Sequence, residues 1–158
     1  MPTKHQFTGM TGLYVVAAEL SKRGFIVSPT SRSVQTADLL IADPPCQNVY
    51  AVQVKTNAST FGFWLVSAKT ANLKSRNLVY ALVNLRKSGT AEIYLVPSAI
   101  VAKRVRFSPK SLTRKVDGYS VYLKDIAKYK DRWVIFKRAS LEQDSINATV
   151  DALHGVES

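Results

Sequence analysis

The residues of this chain best suited to chemistry are Asp38, Gln53 and Lys55, and the sequence around them says how they would meet. Leu39-Leu40-Ile41-Ala42 reads as a short apolar strand. It stops at Asp43-Pro44-Pro45, because proline has no N–H to give to a ladder. A second strand, Val49 to Thr56, alternates strictly, so Val52 and Val54 share one face while Gln53 and Lys55 share the other. The two strands form a β-hairpin. A glutamine and a lysine side by side on an internal strand are costly unless they face water, a partner or a metal. Asp38, at the start of the neighbouring strand, is the natural partner.

An acid on one strand followed by Gln53-Val54-Lys55 on the next resembles the PD-(D/E)XK nuclease superfamily, whose motif is an acid and then an acid-x-lysine. Glutamine in place of the second acid resembles the Mrr-like restriction branch, and the same residues resemble small archaeal-type Holliday-junction resolvases. The resemblance implies an α/β fold with a restriction-endonuclease-like core, a central mixed β-sheet flanked by helices. It also implies a metal-dependent DNA endonuclease, with Mg²⁺ as cofactor and Mn²⁺ as its substitute. Asp38 would anchor the cation, Gln53 would add an amide oxygen, and the main-chain carbonyl of Val54 would fill a further position. Lys55 would orient the attacking water and stabilise charge at phosphorus. Such small cores often work as homodimers, since cutting two strands takes two sites. The chain departs from the superfamily's pattern in its first helix, where Leu13 stands in place of a common glutamate and Glu19 lies about 120° further round.

Each residue also has a plainer reading. Asp38 could simply start a strand, Lys55 could discourage edge pairing, and Gln53 could tie down a loop. Val52 and Val54 beside Lys55 speak against an edge. Asp43 before Pro44 is turn chemistry, Glu19 is a surface or rim residue, and Trp64 and Trp133 are core or core-edge residues, with stacking on a base as the lesser reading. Thr56 could touch a phosphate or only favour a strand.

Charge points to the partner. The chain has 22 lysines and arginines against 11 acids, a net +11 over 158 residues. All the basic residues, but only seven acids, fall in residues 1–138, which therefore carry +15. Such an excess suits a polyanion, and DNA is the partner expected. Lys103, Arg104, Arg106, Lys110, Arg114 and Lys115 form a run without an acid and are the candidate backbone contacts. A solvated basic face is the plainer alternative. Lys69, Lys74 and Arg76 form a second, smaller group. A nucleic-acid-binding module without catalysis, on the same fold, is the alternative function, as is a subunit whose charge serves a protein partner.

One cysteine, Cys46, gives neither a disulfide framework nor a zinc site, and His5 and His154 are too far apart in sequence for a histidine-centred group. No apolar run is long enough for a bilayer span and no leader pattern is visible, so a cytoplasmic, membrane-free setting is expected.

The elements that must position the hairpin follow from periodicity. Leu13, Val16, Ala17 and Leu20 make a helical stripe over residues 9–23 that Gly24 ends, with residues 1–8 as a lead-in. Tyr14, Val15 and Ala18 extend its apolar surface, which predicts a deeply packed helix. Strands are expected at 25–27, 61–66, 78–85, 92–96 and 119–123. Short helices are expected at 67–76, 98–105 with Ser98 as N-cap, and 125–133; residues 106–118 read as loop. The domain closes at 134–136 within a single unit over residues 1–138, and residues 139–158 read as a polar tail.

Overall fold

The first helix, α1, spans Lys4–Lys22. It starts at a capping box: the Gln6 N–H donates to the Thr3 hydroxyl at 3.3 Å, and the Thr3 N–H donates to Gln6 Oε1 at 2.7 Å. The expected lead-in up to residue 8 is thus helical, well ahead of Gly9. Gly24, at φ +81°, takes the left-handed conformation that ends the helix. The structure is a computed structural model and describes residues 1–31, 36–87, 89–112 and 115–139. Most of the polar tail expected from residue 139 lies outside the described residues, as does Arg114.

Strands β1 (Ile26–Pro29), β2 (Leu39–Ala42) and β3 (Val49–Asn57) form an antiparallel meander. The chain then crosses through β4 (Phe63–Val66) and one 3₁₀ turn at Ala68–Ala71 to reach β5 (Leu78–Asn84), parallel to β3. Antiparallel β6 (Glu92–Pro97) completes a mixed five-stranded sheet in the order β1-β2-β3-β5-β6. Helix α2 (Ser98–Arg104), strands β7 (Arg106–Ser108) and β8 (Gly118–Tyr122), and helix α3 (Leu123–Ile126) follow. A three-stranded sheet, β4-β8-β7, stands apart from the first. The fold is α/β, a mixed central sheet flanked by helices.

Alternation sorts the five-stranded sheet into two faces. Leu39, Ile41, Val52, Val54, Val79 and Ala81 meet Val16 and Leu20 of α1 on one side. Leu78, Tyr80, Leu82, Tyr94 and Val96 meet Trp64, Val101, Val121 and Ile126 on the other. Strand β5 is buried along its whole length, as a strand covered on both faces must be. Each fully buried aliphatic side chain of this set contributes about 1.5–3 kcal/mol. Helix α1, however, is packed on one face only: Tyr14 is 61% exposed, because no further layer covers its outer side. Ser98 is no N-cap either. Pro97 holds that position, and the Ser98 hydroxyl donates to the Ser75 carbonyl and accepts from the Ser75 N–H.

Two contacts fix how the hairpin sits. At the turn, buried Asp43 accepts hydrogen bonds from the Asn48 N–H, the Asn48 side chain and the Ala139 N–H. Burial pushes its carboxyl up, but these donors together outweigh burial and hold it at about 2, below the ordinary 3.8. At the other end, Gly12 of α1 lies on Thr56 so closely that a Cβ would come 1.9 Å from Thr56 Oγ1. That Oγ1 is buried with no hydrogen-bond partner.

Gly12→Ala should therefore cost about 1–3 kcal/mol by overpacking, and adding Thr56→Ala should return only part of the loss, because the Thr56 Cβ would itself lie 2.8 Å from the new methyl. Denaturant titration of the three variants checks this, and an unshifted midpoint for Gly12→Ala would reject the contact. Because the folded pKa of Asp43 is the lower one, its ionised form stabilises the fold above 3.8, and that contribution disappears as pH falls toward about 2. Acid titrations of wild type and Asp43→Asn should differ in slope across that window and run parallel above it.

Candidate functional site

Asp38 sits just ahead of β2 but is already held in the sheet, its N–H donating to the Val52 carbonyl at 2.8 Å and its carbonyl accepting from the Thr30 N–H at 2.9 Å. Since Leu39 faces α1, Asp38 faces the opposite side, and so do Gln53 and Lys55 between the inward valines of β3. All three line one open cleft of about 820 Å³. Strand β3 lies between β2 and β5 in the sheet, but β2 pairs with it only over Val49–Val52; Lys55, further along, pairs with Leu82 of β5.

The geometry is specific. Asp38 Oδ2 accepts from Gln53 Nε2 at 2.5 Å and from the Val54 N–H at 2.7 Å. The first bond fixes the amide with its NH₂ toward the carboxylate. That leaves Gln53 Oε1 and Asp38 Oδ1 as side-chain oxygens that neither bond uses. Val54 meets the carboxylate through its N–H, a contact separate from the main-chain carbonyl that the resemblance implies as a metal ligand. Lys55 follows on the same face, about 6.6 Å further along the strand.

The opposite wall comes from the crossover. The 3₁₀ turn brings Lys69 and Thr70 to the cleft, with Ser67 ahead of it, and the Ser67 and Thr70 hydroxyls are 3.2 Å apart. Tyr80, paired in register with Gln53, closes the floor. Burial pushes the Tyr80 phenol up, with a hydrogen bond to Thr70 opposing it, so the ring stays neutral at physiological pH. Sequence reasoning missed Ser67, Thr70 and Tyr80 as site residues. The hydroxyls on a single turn carry no periodic signal, and Tyr80 stands in an uninterrupted buried run.

Asp38 is the one carboxylate lining the cleft among the described residues, and no group of three or more His, Cys, Asp or Glu converges there or elsewhere among them. Leu13 packs against the α1 side of the sheet. Glu19 bonds Arg23 at 2.5 Å and Lys22 at 3.1 Å, which hold its carboxyl below the ordinary value; it belongs to the helix surface. Asp38 and Gln53 still offer one anionic and one neutral hard oxygen. That set suits Mg²⁺, which keeps several waters and shares its shell with substrate phosphate.

Of the basic run, Lys103 and Arg104 lie exposed in the last turn of α2, and Lys110 and Lys115 are exposed beyond β7. Arg106 pairs with Asp125 at 2.7 Å and stacks over Tyr122. None of these lines the cleft, where Lys69 of the second basic group does. Lys55 also borders a second depression of about 540 Å³, beside Lys4 and His5 of α1 and Phe61 and Phe63.

No protein-family model and no curated protein matches the chain. Among solved structures, the fold is similar to the 1.6 Å structure of Hjc, a Holliday junction resolvase from the archaeal hyperthermophile Archaeoglobus fulgidus. The likeness covers 76% of this chain and 88% of that one at 12% identity, with a TM-score of 0.48. No helix among the described residues is long and apolar enough to cross a membrane.

Gln53→Glu tests the donor arrangement directly. It replaces the Asp38 hydrogen bond with a second carboxylate, so the metal-free variant should lose about 1–3 kcal/mol. Added Mg²⁺ should raise its melting temperature more than that of wild type. Equal melting temperatures without metal, or equal responses to it, would contradict the geometry.

Proposed function

We propose that this chain is a metal-dependent DNA endonuclease, with Mg²⁺ or Mn²⁺ held by Asp38 and Gln53. The observation that carries this reading is the convergence of Asp38, Gln53 and Lys55 on one open cleft, in a strongly basic chain. The bound cation would neutralise phosphate charge and acidify a water. The remaining work falls to the chain itself. The Gln53 amide and the Val54 N–H hold the Asp38 carboxylate in one orientation, with Oδ1 and Gln53 Oε1 as the oxygens for the cation. The Lys55 ammonium orients the attacking water and donates to the phosphoryl oxygens as charge grows there. Lys69 and the basic residues of α2 and the segment beyond β7 contact backbone phosphates. Two such sites in a homodimer would cut both strands.

That Asp38 is the one carboxylate of the cleft among the described residues favours a second reading, a DNA-binding module without catalysis. Incubation with supercoiled plasmid separates the two. Wild type should nick or linearise it only with Mg²⁺ or Mn²⁺, and Asp38→Ala and Lys55→Ala should each lower the rate by about 10²–10³ or more. Cutting that survives Asp38→Ala would sink the proposal. Salt-dependent binding without cutting would establish the module instead.

A further inference from the structure

Strand β4 turns Trp64 inward and leaves Phe63 and Leu65 on its outer face, with Phe61 just ahead of them. Phe61 is 50% exposed and Phe63 39%. The Phe61 and Phe63 rings lie 6.4 Å apart, Phe63 and Tyr122 lie 5.8 Å apart, and the Arg106 guanidinium sits 5.0 Å over Tyr122. The result is a continuous row of three rings ending in a cation that also pairs with Asp125.

This row is held rigidly. Asn84, fully buried, donates to the Phe61 carbonyl at 3.0 Å, and Asn57 donates both to the Phe63 carbonyl and to Asn84 at 2.9 Å. The Leu123 N–H donates to the Gly62 carbonyl at 2.8 Å, and the Trp64 indole donates to the Val83 carbonyl at 2.9 Å. Buried polar groups thus fix a backbone whose aromatic side chains face water, which forgoes the burial those rings could gain in a core. Among the described residues, the depression beside the rings is lined by Lys4, His5 and Lys55 and by no carboxylate. A partner that suits both features is anionic and presents flat π faces. A DNA single strand does so, whereas a duplex hides its base faces inside the stack.

We propose that Phe61, Phe63 and Tyr122 form a stacking platform for unpaired bases of DNA, whose phosphates run past Lys4 toward Lys55. Resting on the nuclease reading above, this makes the substrate a DNA with single-stranded character beside the phosphate to be cut. Labelled oligo(dT) and a duplex of equal length are titrated across salt concentrations, using wild type, the Phe61→Leu/Phe63→Leu pair and the Phe61→Tyr/Phe63→Tyr pair. Thermal melts confirm that each variant is folded. The leucine pair should bind oligo(dT) about tenfold or more weakly, with the salt slope and the duplex affinity unchanged, because no phosphate contact is lost. The tyrosine pair should bind as wild type does. No binding to oligo(dT), an equal loss on both DNAs, or tighter binding to oligo(U) overturns the assignment. So does a dimer in sedimentation that Phe63→Asp dissociates, since a second copy would then own the face. A chain that cuts only duplex keeps the nuclease reading and loses this one; ring-dependent oligo(dT) binding by a chain that never cuts does the reverse.

Discussion

The hydrogen bonds from Gln53 Nε2 and the Val54 N–H to one oxygen of Asp38 tie the fold to its cleft. They bridge β2 and β3 at the pairing where Leu39 stands opposite Val52. A slip of one residue in that register would turn Gln53 and Lys55 into the apolar layer under α1 and Val52 and Val54 into the cleft. Burial of the valines and bonding of the carboxylate therefore demand the same register. Local pattern and tertiary packing agree, which is the condition for a single well-defined native state.

Beyond the Asp38 pairing, polar groups set the connections. Asp43 closes the hairpin turn and reaches Ala139, Asn57 and Asn84 hold the segment before β4, and Ser98 fastens Ser75 ahead of β5. Each would be costly unpaired, and each is satisfied by a group distant in sequence. The crossover between the parallel strands β3 and β5 contains strand β4 and, as its only helical element, one turn of 3₁₀ helix. It is kept in place by such bonds together with the buried Trp64 of β4, and this is how hydroxyls of a short turn become a wall of the cleft.

What the sequence disclosed follows from the reach of its signals. The hairpin was legible because period-two alternation and a proline pair are local, and with it the shared face of Gln53 and Lys55. The stripe of α1 was legible too, but its start was not, since the polar Thr3-x-x-Gln6 box carries no apolar period. The membership of β4 in a second sheet was hidden. Phe63 pairs with Tyr122, far along the chain, and nothing near either residue specifies the other. Strand β7, three residues long, is too short for alternation to show. The convergence of Asp38 with Gln53 could be read; Tyr80 beside them could not, because β5 is buried on both faces and offers no contrast.

The chain carries two tryptophans, and they have different surroundings. Trp64 is enclosed with Tyr94 in the layer opposite α1, whereas Trp133 is half-buried on the α1 side beneath the Arg23 guanidinium. Replacing either one by phenylalanine leaves an intrinsic fluorophore in a single layer. Emission during unfolding would then report whether the two sides of the sheet open together or in sequence.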